Sequence, residues 1–354
     1  MTAEHVRISP AAARRFCVEV FEASGVGPES AAVMADCLLT ASLRGVDTHG
    51  LVRLDPYAKK FRRGGFDTEP SFKFADPRRG VSTVDADGGA GPVAGTAGME
   101  RAITNAAQTG IGATVVTDSN HFGMAGYYTL QAAEHDCIGI AMTHGGPRVA
   151  PVGGVDPFFG TNPIAYSVPS DRDFHITHDM STSAGANAKI RQARRLGEEI
   201  PSAWAIDRDG RPTTDPEAAH ALRPVGAHKG YGLGLFVEAC AALLGGGRFA
   251  PAVPTPYQDF SSSMDIGHCF IAIDIGAFRS IEDFYADVGT LIDRLHAVTP
   301  AADGDGVRLP GERATATSRD RADRGIPLDE ATLESLRDAA ARCSVAVPDI
   351  VSTA

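Results

Sequence analysis

The two ends of the chain share one pattern, in which apolar residues recur every three or four positions, as on the buried face of an amphipathic helix. Ser9 and Pro10 are typical of a helix start, and Gly25 is typical of a helix end. The polar and charged residues 299–325 are predicted to be largely loop. The pattern predicts five helices, over residues 10–25, 28–43, 51–65, 281–297 and 328–343.

The middle of the chain alternates short apolar runs with helical segments, which is typical of an α/β core. Residues 151–163, rich in proline and glycine, are predicted to form an irregular segment that is ordered for a functional reason. The apolar segment 228–246 is predicted to be a long, mostly buried helix. Two further helices are expected over residues 93–110 and 126–136. Strands are expected within residues 81–89, 112–123, 138–144 and 269–275.

A chain of 354 residues suggests about two domains. With 43% hydrophobic and 22% charged residues it can bury a substantial core, which argues against a disordered or disulfide-dependent chain. The simplest architecture is α/β, with a discontinuous helical domain of residues 1–70 plus 280–354 around an α/β domain of residues 71–279.

The charged side chains sum to a net charge of −11, which argues against nucleic acid or an anionic membrane as the partner. The opening residues MTAEHVRISP lack the apolar core of a signal peptide, and no apolar run is long enough to cross a bilayer. The six cysteines include no C-x-x-C pair and are interpreted as mostly buried thiols. We therefore expect a soluble cytoplasmic protein.

Gly89, Gly91 and Ala94 follow a predicted strand and fit the G-x-G-x-x-A pattern of Rossmann dinucleotide-binding folds. Two features weaken this interpretation. Pro92 removes a backbone N–H donor near the expected diphosphate, and the preceding turn is acidic. The alternative is a tight strand–helix turn without a ligand.

Between the second and third predicted helices, Arg44 and Arg53 flank His49 among small residues. Two guanidinium groups can hold a carboxylate through paired hydrogen bonds. An imidazole can then pass a proton to the neighbouring oxygen, because its ordinary pKa is near neutrality. The segment is a candidate site for a carboxylate substrate, and the alternative is a helix connection with surface charges.

His121 lies in the stretch Ser119–Gly126, which follows a predicted strand at the position where open α/β sheets bind ligands. The stretch can contact a cofactor or a substrate, and the alternative is a capped helix start.

His175, His178 and Asp179 have a spacing that resembles a metal site. However, the two histidines would point to opposite faces of a strand and no third ligand is evident, so no metal is predicted.

Eight stretches follow one another over nearly the whole chain: RGVDTHGLVR (44–53), SNHFGMAGYY (119–128), VAPVGGVDPFFGTNP (149–163), HDMSTS (178–183), IPSAWAIDRDGRPTTDP (200–216), HKGYGLGLFVE (228–238), GHCFIAID (267–274) and LPGE (309–312). In this order they resemble the malate/L-lactate dehydrogenase-like family of NAD(P)H-dependent oxidoreductases. That family also includes ureidoglycolate dehydrogenases, L-sulfolactate dehydrogenases, 2,3-diketogulonate reductases and Δ1-piperideine-2-carboxylate reductases.

The resemblance implies a nicotinamide cofactor, NAD or NADP, bound by a non-Rossmann α/β core, and a helical domain built from both chain termini. It also implies a homodimer, and the G-x-G-x-x-A match then has no role in cofactor binding. This chain departs from the family pattern at His178, at Ser181 and at the segment around His144. These departures leave the substrate and the choice between NAD and NADP open.

His49 is the first choice for the acid/base group, and His121 is the second because the ureidoglycolate branch resembles this chain there. Arg44 and Arg53 are the expected carboxylate ligands. Thr161 and Asn162 are expected to orient the substrate. The resemblance assigns cofactor contacts to Ser119, His144, Asp179, Met180, Ser181, Lys229, Gly311 and Glu312.

We therefore expect reversible hydride transfer between NAD(P)H and a small 2-oxo acid, with the reduced cofactor as hydride donor. Reduction of a cyclic imine carboxylate is the alternative within the family. An alternative of another class is a protein that binds nicotinamide or a metabolite without turnover. The presence of both His49 and His121 argues against that alternative.

Overall fold

The computed structural model describes residues 6–352 except 256–258 and 305. The helices within these residues are α1 (Pro10–Glu22), α2 (Pro28–Leu43), α3 (Leu54–Arg62), α4 (Gly91–Thr109), α5 (Ala125–Ala133), α6 (Asn187–Leu196), α7 (His228–Glu238), α8 (Ile281–His296), α9 (Glu312–Arg324) and α10 (Glu330–Cys343). The strands are β1 (Val6–Ile8), β2 (Lys73–Arg78), β3 (Val81–Asp85), β4 (Ile111–Ser119), β5 (Cys137–Thr143), β6 (Ile164–Val168), β7 (Ile176–Met180), β8 (Ala205–Ile206), β9 (Pro212–Thr213), β10 (Ala221–Leu222), β11 (Ile266–Asp274), β12 (Ile326–Leu328) and β13 (Ile350–Ser352).

A seven-stranded mixed sheet forms the centre of the molecule, with the strand order β2-β3-β4-β11-β5-β6-β7. Only β3 and β4 are parallel neighbours in it. Helices α4 and α5 pack on one face, where Met99 and Tyr128 share an apolar core with Phe270 of β11. Val237 of α7 packs against Met142 on the other face. This arrangement agrees with the predicted α/β class.

Strand direction decides where the functional loops meet. Strand β11 is antiparallel to both β4 and β5, so β4 and β5 run in the same direction. Strand β7 is antiparallel to β6, which is antiparallel to β5, so β7 shares that direction too. The residues that follow Ser119, Thr143 and Met180 therefore leave the sheet at the same end of its strands. Ligands of open α/β sheets bind beyond the carboxyl ends of strands.

The chain termini pack together beside the sheet. Strand β1 pairs with β12 on one side and with β13 on the other. Phe21, Leu38, Tyr57 and Leu336 share one apolar core, which joins α1, α2, α3 and α10. Helix α8 instead packs its buried side chains near β6 and β7. The discontinuous helical domain and its boundaries stay a prediction.

Helix α9 is the clearest difference from the prediction, because residues 299–325 were expected to be largely loop. The helix buries no residue fully, so its sequence lacks the apolar spacing that indicates a helix. Polar contacts hold it instead. Arg321 donates to Ser42 O at the end of α2, and Arg319 pairs with Asp173.

The segment 228–246 forms α7 and a π-helical turn, Ala239–Leu243, as a continuous helical rod. One face is buried as predicted, but the opposite face exposes Leu235, Phe236 and Leu244. The expectation of a mostly buried helix is therefore wrong for that face in a single chain. No helix in the described ranges is both long and apolar enough to cross a membrane.

Candidate active site

A cavity of about 380 Å³ opens where β4, β5 and β7 end. Its wall contains two histidines that the sequence singled out, His49 and His121, and the cation Arg53. Apolar side chains such as Phe122 and Ile266 form other parts of the wall. A concave, partly apolar site with a few convergent polar groups is typical of a small-molecule pocket.

The loop that carries His121 is fixed by buried contacts. Asn120 is fully buried, and its side-chain amide donates to Gly88 O and Gly89 O at 2.9 and 3.1 Å. Its Oδ1 accepts from the backbone N–H of Met264 at 2.9 Å. The start of α4 also presses on this loop, since a Cβ at Gly91 would lie 2.2 Å from Asn120 O. The G-x-G-x-x-A segment therefore supports the histidine loop.

The ring of His121 is held in one orientation and one protonation pattern. The Tyr57 hydroxyl lies 2.6 Å from His121 Nδ1, and the backbone N–H of Gly123 points at the same nitrogen from 3.4 Å. An N–H group can only donate, so we assign Nδ1 as the acceptor of both contacts and the ring proton to Nε2. His121 can then offer an N–H donor at Nε2.

The loop that carries His49 consists of two short 3-10 turns between α2 and α3. The Ser42 hydroxyl accepts from the backbone N–H of Leu51 at 2.9 Å and supports the loop from α2. Arg321 of α9 forms an ion pair with Asp47. His49 Nδ1 lies 2.9 Å from the Thr48 hydroxyl, which can donate or accept, so both tautomers of this imidazole are accommodated.

The two imidazoles lie side by side at the cavity. Their ring centroids are 5.6 Å apart, with an angle of 14° between the planes. Burial and, as the smaller cause, the charge of Arg53 together lower the pKa of His49 to about 3. Burial is also the main cause that moves the pKa of His121 well below its ordinary value. Both rings are therefore neutral near pH 7 before a substrate binds.

A third neutral imidazole, that of His144, also lines the cavity. The backbone N–H of Gly267 donates to His144 Nε2 at 2.8 Å, which leaves the ring proton on Nδ1. His144 Nδ1 has no hydrogen-bond partner among the described residues, and Glu238 Oε1 lies 3.7 Å away. Burial lowers the pKa of His144 to about 4 and raises the pKa of Glu238. Asn162 donates to the other carboxylate oxygen at 2.7 Å.

A buried polar chain connects the ends of β4 and β5. His268 of β11 contacts the Ser119 hydroxyl through Nε2 at 2.9 Å and the Thr143 hydroxyl through Nδ1 at 2.8 Å. All three side chains are almost fully buried. Buried polar groups that satisfy one another in this way restrict the position of the backbone that carries them.

Seven of the fourteen predicted site residues line the cavity: His49, Arg53, His121, His144, Thr161, Asp179 and Ser181. Asp179 accepts from the backbone N–H of Gly126 at 2.8 Å, which fixes its carboxylate against the start of α5.

The other seven lie outside this lining, and their roles stay predictions. Burial lowers the pKa of Arg44, and the nearby carboxylate of Asp179 opposes this shift only in part. Ser119 and Asn162 are buried in the polar contacts just described. Met180 ends β7, and Lys229 is exposed at the start of α7. Gly311 lies against β7, and Glu312 contacts His296.

Sequence reasoning missed several residues that shape the site. Tyr57 and His268 act through contacts between distant parts of the chain, for which the sequence gives no local signal. Asn120 lies in the stretch Ser119–Gly126 that the sequence singles out, but its role in fixing the loop depends on distant backbone groups. Glu238 had a signal, since it is a carboxylate within an apolar segment. Within the described part of the chain, no three histidine, cysteine or acidic side chains form a group that could hold a metal ion.

Comparisons with known proteins agree with this geometry. A family model described as malate/L-lactate dehydrogenase matches residues 8–337. A malate dehydrogenase of Pyrococcus horikoshii is 37% identical over 341 residues, 93% of each chain. A ureidoglycolate dehydrogenase (NAD(+)) of Escherichia coli O157:H7 is 36% identical over 305 residues, 86% of this chain and 87% of the relative.

Among solved structures, a malate dehydrogenase from Entamoeba histolytica superposes with a TM-score of 0.91 at 31% identity, covering 97% of this chain and 99% of the other. The relatives include proteins named as NAD(+)-dependent and as NADP(+)-dependent dehydrogenases. The predicted fold class, enzyme class and cofactor class are thereby confirmed at the level of the family. This chain belongs to the malate/L-lactate dehydrogenase family.

Proposed function

We propose that this protein transfers a hydride between NAD(P)H and a small 2-oxo acid, in the cavity that contains His49 and His121. The observation that carries the proposal is the parallel pair of neutral imidazoles beside Arg53 in one cavity. A hydride transfer to a carbonyl needs a proton donor for the oxygen and a cation for the carboxylate. These side chains supply both.

The cavity fits a nicotinamide cofactor. A Cβ at Gly145 would meet no atom within 4 Å, so the backbone there leaves open space for a flat ring or a ribose. Ser181 and Ser183 add hydroxyl groups, and the first turn of α6 borders the same cavity around Asn187. Backbone N–H groups at a helix start favour a phosphate. When bound, the cofactor supplies the hydride from its nicotinamide ring.

The two histidines differ in what they can do with a proton. His121 is fixed as an Nε2–H donor, so it is suited to hold the substrate oxygen in place. The Thr48 hydroxyl beside His49 Nδ1 can accept as well as donate, so His49 can hold the second proton of an imidazolium, release that proton to the substrate oxygen in reduction and, as the neutral ring, accept it back in oxidation. A carboxylate bound at Arg53 would offset the positive charge that lowers the pKa of His49. Protonation of His49 is thus coupled to substrate binding.

An absorbance assay of NADH and NADPH oxidation with a panel of 2-oxo acids tests the proposal. Turnover of at least one 2-oxo acid is expected. Activity only with a cyclic imine carboxylate would select the alternative within the family. Nucleotide binding without any turnover would select the non-enzymatic alternative. A melting temperature that does not move with either reduced nucleotide would contradict a dehydrogenase role, because a ligand of the folded state stabilises it.

We also propose that the protein is a homodimer that uses the exposed face of α7. Phe236 is 51% exposed and Leu244 is 69% exposed on one side of this helical rod, together with Leu235. Apolar patches of this kind on a folded protein mark interaction surfaces. A second copy is the occupant that the family resemblance supports. The buried carboxylate of Glu238 lies on the other side of the same rod, so dimer formation would support the cavity wall.

Light scattering of Phe236→Asp tests the dimer, since a buried charge without a partner should dissociate it. Phe278→Asp is the matched control, because Phe278 is 67% exposed at a different place. Equal masses for both variants would refute this interface.

The free cysteines support the proposed cytoplasmic location, where disulfides are rare.

A further inference from the structure

Lys60 of α3 is a buried cation outside the lining of the cavity, since only 3% of the residue is exposed. Its ammonium donates to Asp259 O at 2.7 Å and to Ser262 O at 3.0 Å. Both carbonyls belong to the segment 259–264, which precedes β11. A buried charge is costly unless hydrogen bonds replace its contacts with water. The ammonium and the two carbonyls therefore hold α3 and this segment together.

The segment is folded to present its carbonyls to the ammonium. The Asp259 carboxylate accepts from the backbone N–H of Ser261 at 2.7 Å and from the hydroxyls of Ser261 and Ser262, which closes a tight turn. The turn lies directly against the end of α3, because a Cβ at Gly65 would be 2.4 Å from Phe260 O. The ammonium supplies two hydrogen bonds across this contact.

The same segment reaches the cavity at its other end. Met264 lines the cavity, and its backbone N–H donates to Asn120 Oδ1 at 2.9 Å. Asn120 directly precedes His121 in the loop that it fixes. Ile266, the first residue of β11, also lines the cavity. The position of the segment therefore affects two side chains of the cavity wall and one anchor of the His121 loop.

Helix α3 contacts the His121 loop along two routes. Tyr57 lies three residues before Lys60, so both side chains are on the same side of the helix. The Tyr57 hydroxyl holds His121 Nδ1 directly at 2.6 Å. Lys60 acts on the same loop through the segment 259–264 and Asn120. Loss of the second route would leave the ring contact in place and release the wall beside it.

We propose that Lys60 is a positioning residue, which holds the segment 259–264 against α3 and thereby sets the place of the cavity wall at Met264 and of the His121 loop. The inference rests on the proposed function, because the wall and the loop are assigned there to substrate binding. A purely structural lysine would contribute to stability and leave the site unchanged. The two roles differ in what they predict for the Met264 amide and for KM.

Amide hydrogen exchange at Met264 in the full-length protein is the first test. Lys60→Met keeps the length of the side chain and removes its charge and donors. Exchange at Met264 should become at least about tenfold faster, because hydrogen bonds to a charged group are lost from the segment. Lys60→Arg should restore most of the protection. Lys59→Met is the matched control on the same helix, since the Lys59 ammonium pairs with Asp55 instead, and it should leave this exchange unchanged.

Steady-state kinetics with the 2-oxo acid that the wild type turns over are the second test. Lys60→Met should raise KM by about tenfold and lower kcat by less than about threefold, because the wall and His121 position the substrate and His49 transfers the proton. Lys60→Arg should recover most of the wild-type KM, and Lys59→Met should keep it.

A lower melting temperature of Lys60→Met with unchanged Met264 exchange and unchanged KM would overturn the proposal and leave Lys60 a structural role. Faster exchange with an unchanged KM would overturn the link to the substrate. If the wild type turns over no 2-oxo acid, the proposed function fails, and the exchange data alone decide whether Lys60 fixes the segment. If Lys60→Met does not fold, Lys60→Gln, which keeps an amide donor of shorter reach, should show the same changes.

Discussion

The loops of His49 and His121 bring equivalent side chains to one cavity and are built in opposite ways. The His121 loop follows a sheet strand and is fixed by the fully buried Asn120 and by the close approach of Gly91. The His49 loop belongs to the packed chain termini and is partly fixed at the surface, where Arg321 pairs with Asp47. One histidine is therefore anchored through the core and the other in part through exposed polar contacts.

This difference suits the two histidines to different roles. A ring whose Nδ1 already accepts two donors is held in one state, which suits orientation of a substrate. A ring beside a rotatable hydroxyl can change its protonation state without breaking a buried contact, which suits proton transfer. The comparison therefore supports the proposal that His49 transfers the proton and His121 positions the substrate. Variants of the two histidines, of their loops and of the surface contacts test these roles.

The largest effect is expected from His49→Ala. If His49 is the proton donor, the variant should lose roughly 10²–10⁴-fold in kcat while its affinity for the cofactor stays nearly unchanged. His121→Ala should mainly raise KM or weaken cofactor binding. Steady-state kinetics on both variants measure these quantities.

Melting curves provide the control, since a purely structural role of His49 predicts lower stability and normal turnover in the folded fraction. A reversed result, in which His121→Ala loses kcat and His49→Ala does not, would exchange the two roles and make the ureidoglycolate branch the better guide.

Gly91→Ala should disturb the anchored loop alone. A Cβ at this position would lie 2.2 Å from Asn120 O and 2.4 Å from His121 O, so the backbone must move. Overpacking against backbone should cost about 3 kcal/mol in the free energy of unfolding. Urea denaturation measures that loss, and KM should rise in the protein that remains folded.

Gly27→Ala is the matched control, because this glycine also precedes a proline at a helix start and has open space around it. It should cost less than about 1 kcal/mol, because the lower entropy of the unfolded chain offsets part of the lost preference for glycine at the N-cap. If the two alanine variants are equally stable, the buried anchoring of the His121 loop is refuted.

The loops also show how far sequence reasoning extends. Both histidines stand in recognisable local patterns, and the apolar spacing predicts the helices on either side of His49. Their meeting depends on contacts between distant parts of the chain, such as that of the Tyr57 hydroxyl with His121 Nδ1 across 64 residues. Such a pairing has no local signal. Likewise α9 escapes prediction because polar contacts with distant residues stabilise it in place of an apolar face.

Acid should destabilise the buried polar contacts behind the His121 loop more than the surface contacts of the His49 loop. Burial lowers the pKa of His268 to about 3, whereas an unfolded histidine has a pKa near 6.5. The folded state therefore binds fewer protons, and this stability is complete above pH 6.5 and is lost as the pH falls towards 3. Between pH 7 and pH 5 the loss from this group is about 2 kcal/mol.

Urea denaturation of His268→Asn at both pH values checks this expectation. The difference in unfolding free energy between pH 7 and pH 5 should be smaller than in the wild type by about 2 kcal/mol. His135→Asn, at an exposed position after α5, should keep the wild-type difference. A variant at His268 with unchanged pH dependence would show that this imidazole protonates in the folded protein without cost.

The smallest effect is expected from Arg321→Ala, which removes the surface contact of the His49 loop. Asp47 is half exposed, so the ion pair should contribute at most about 1 kcal/mol to stability. The same guanidinium also holds Ser42 O at the end of α2, so the loop should become more mobile and kcat/KM should fall a few-fold.

Arg324→Ala is the matched control, because it breaks an exposed pair within α9 that does not touch the loop. Kinetics that are identical for both variants would show that Leu51 and Ser42 alone position His49. A loss of kcat as large as in His49→Ala would mean that the surface contact is as essential as the buried anchor, and the contrast between the two loops would not hold.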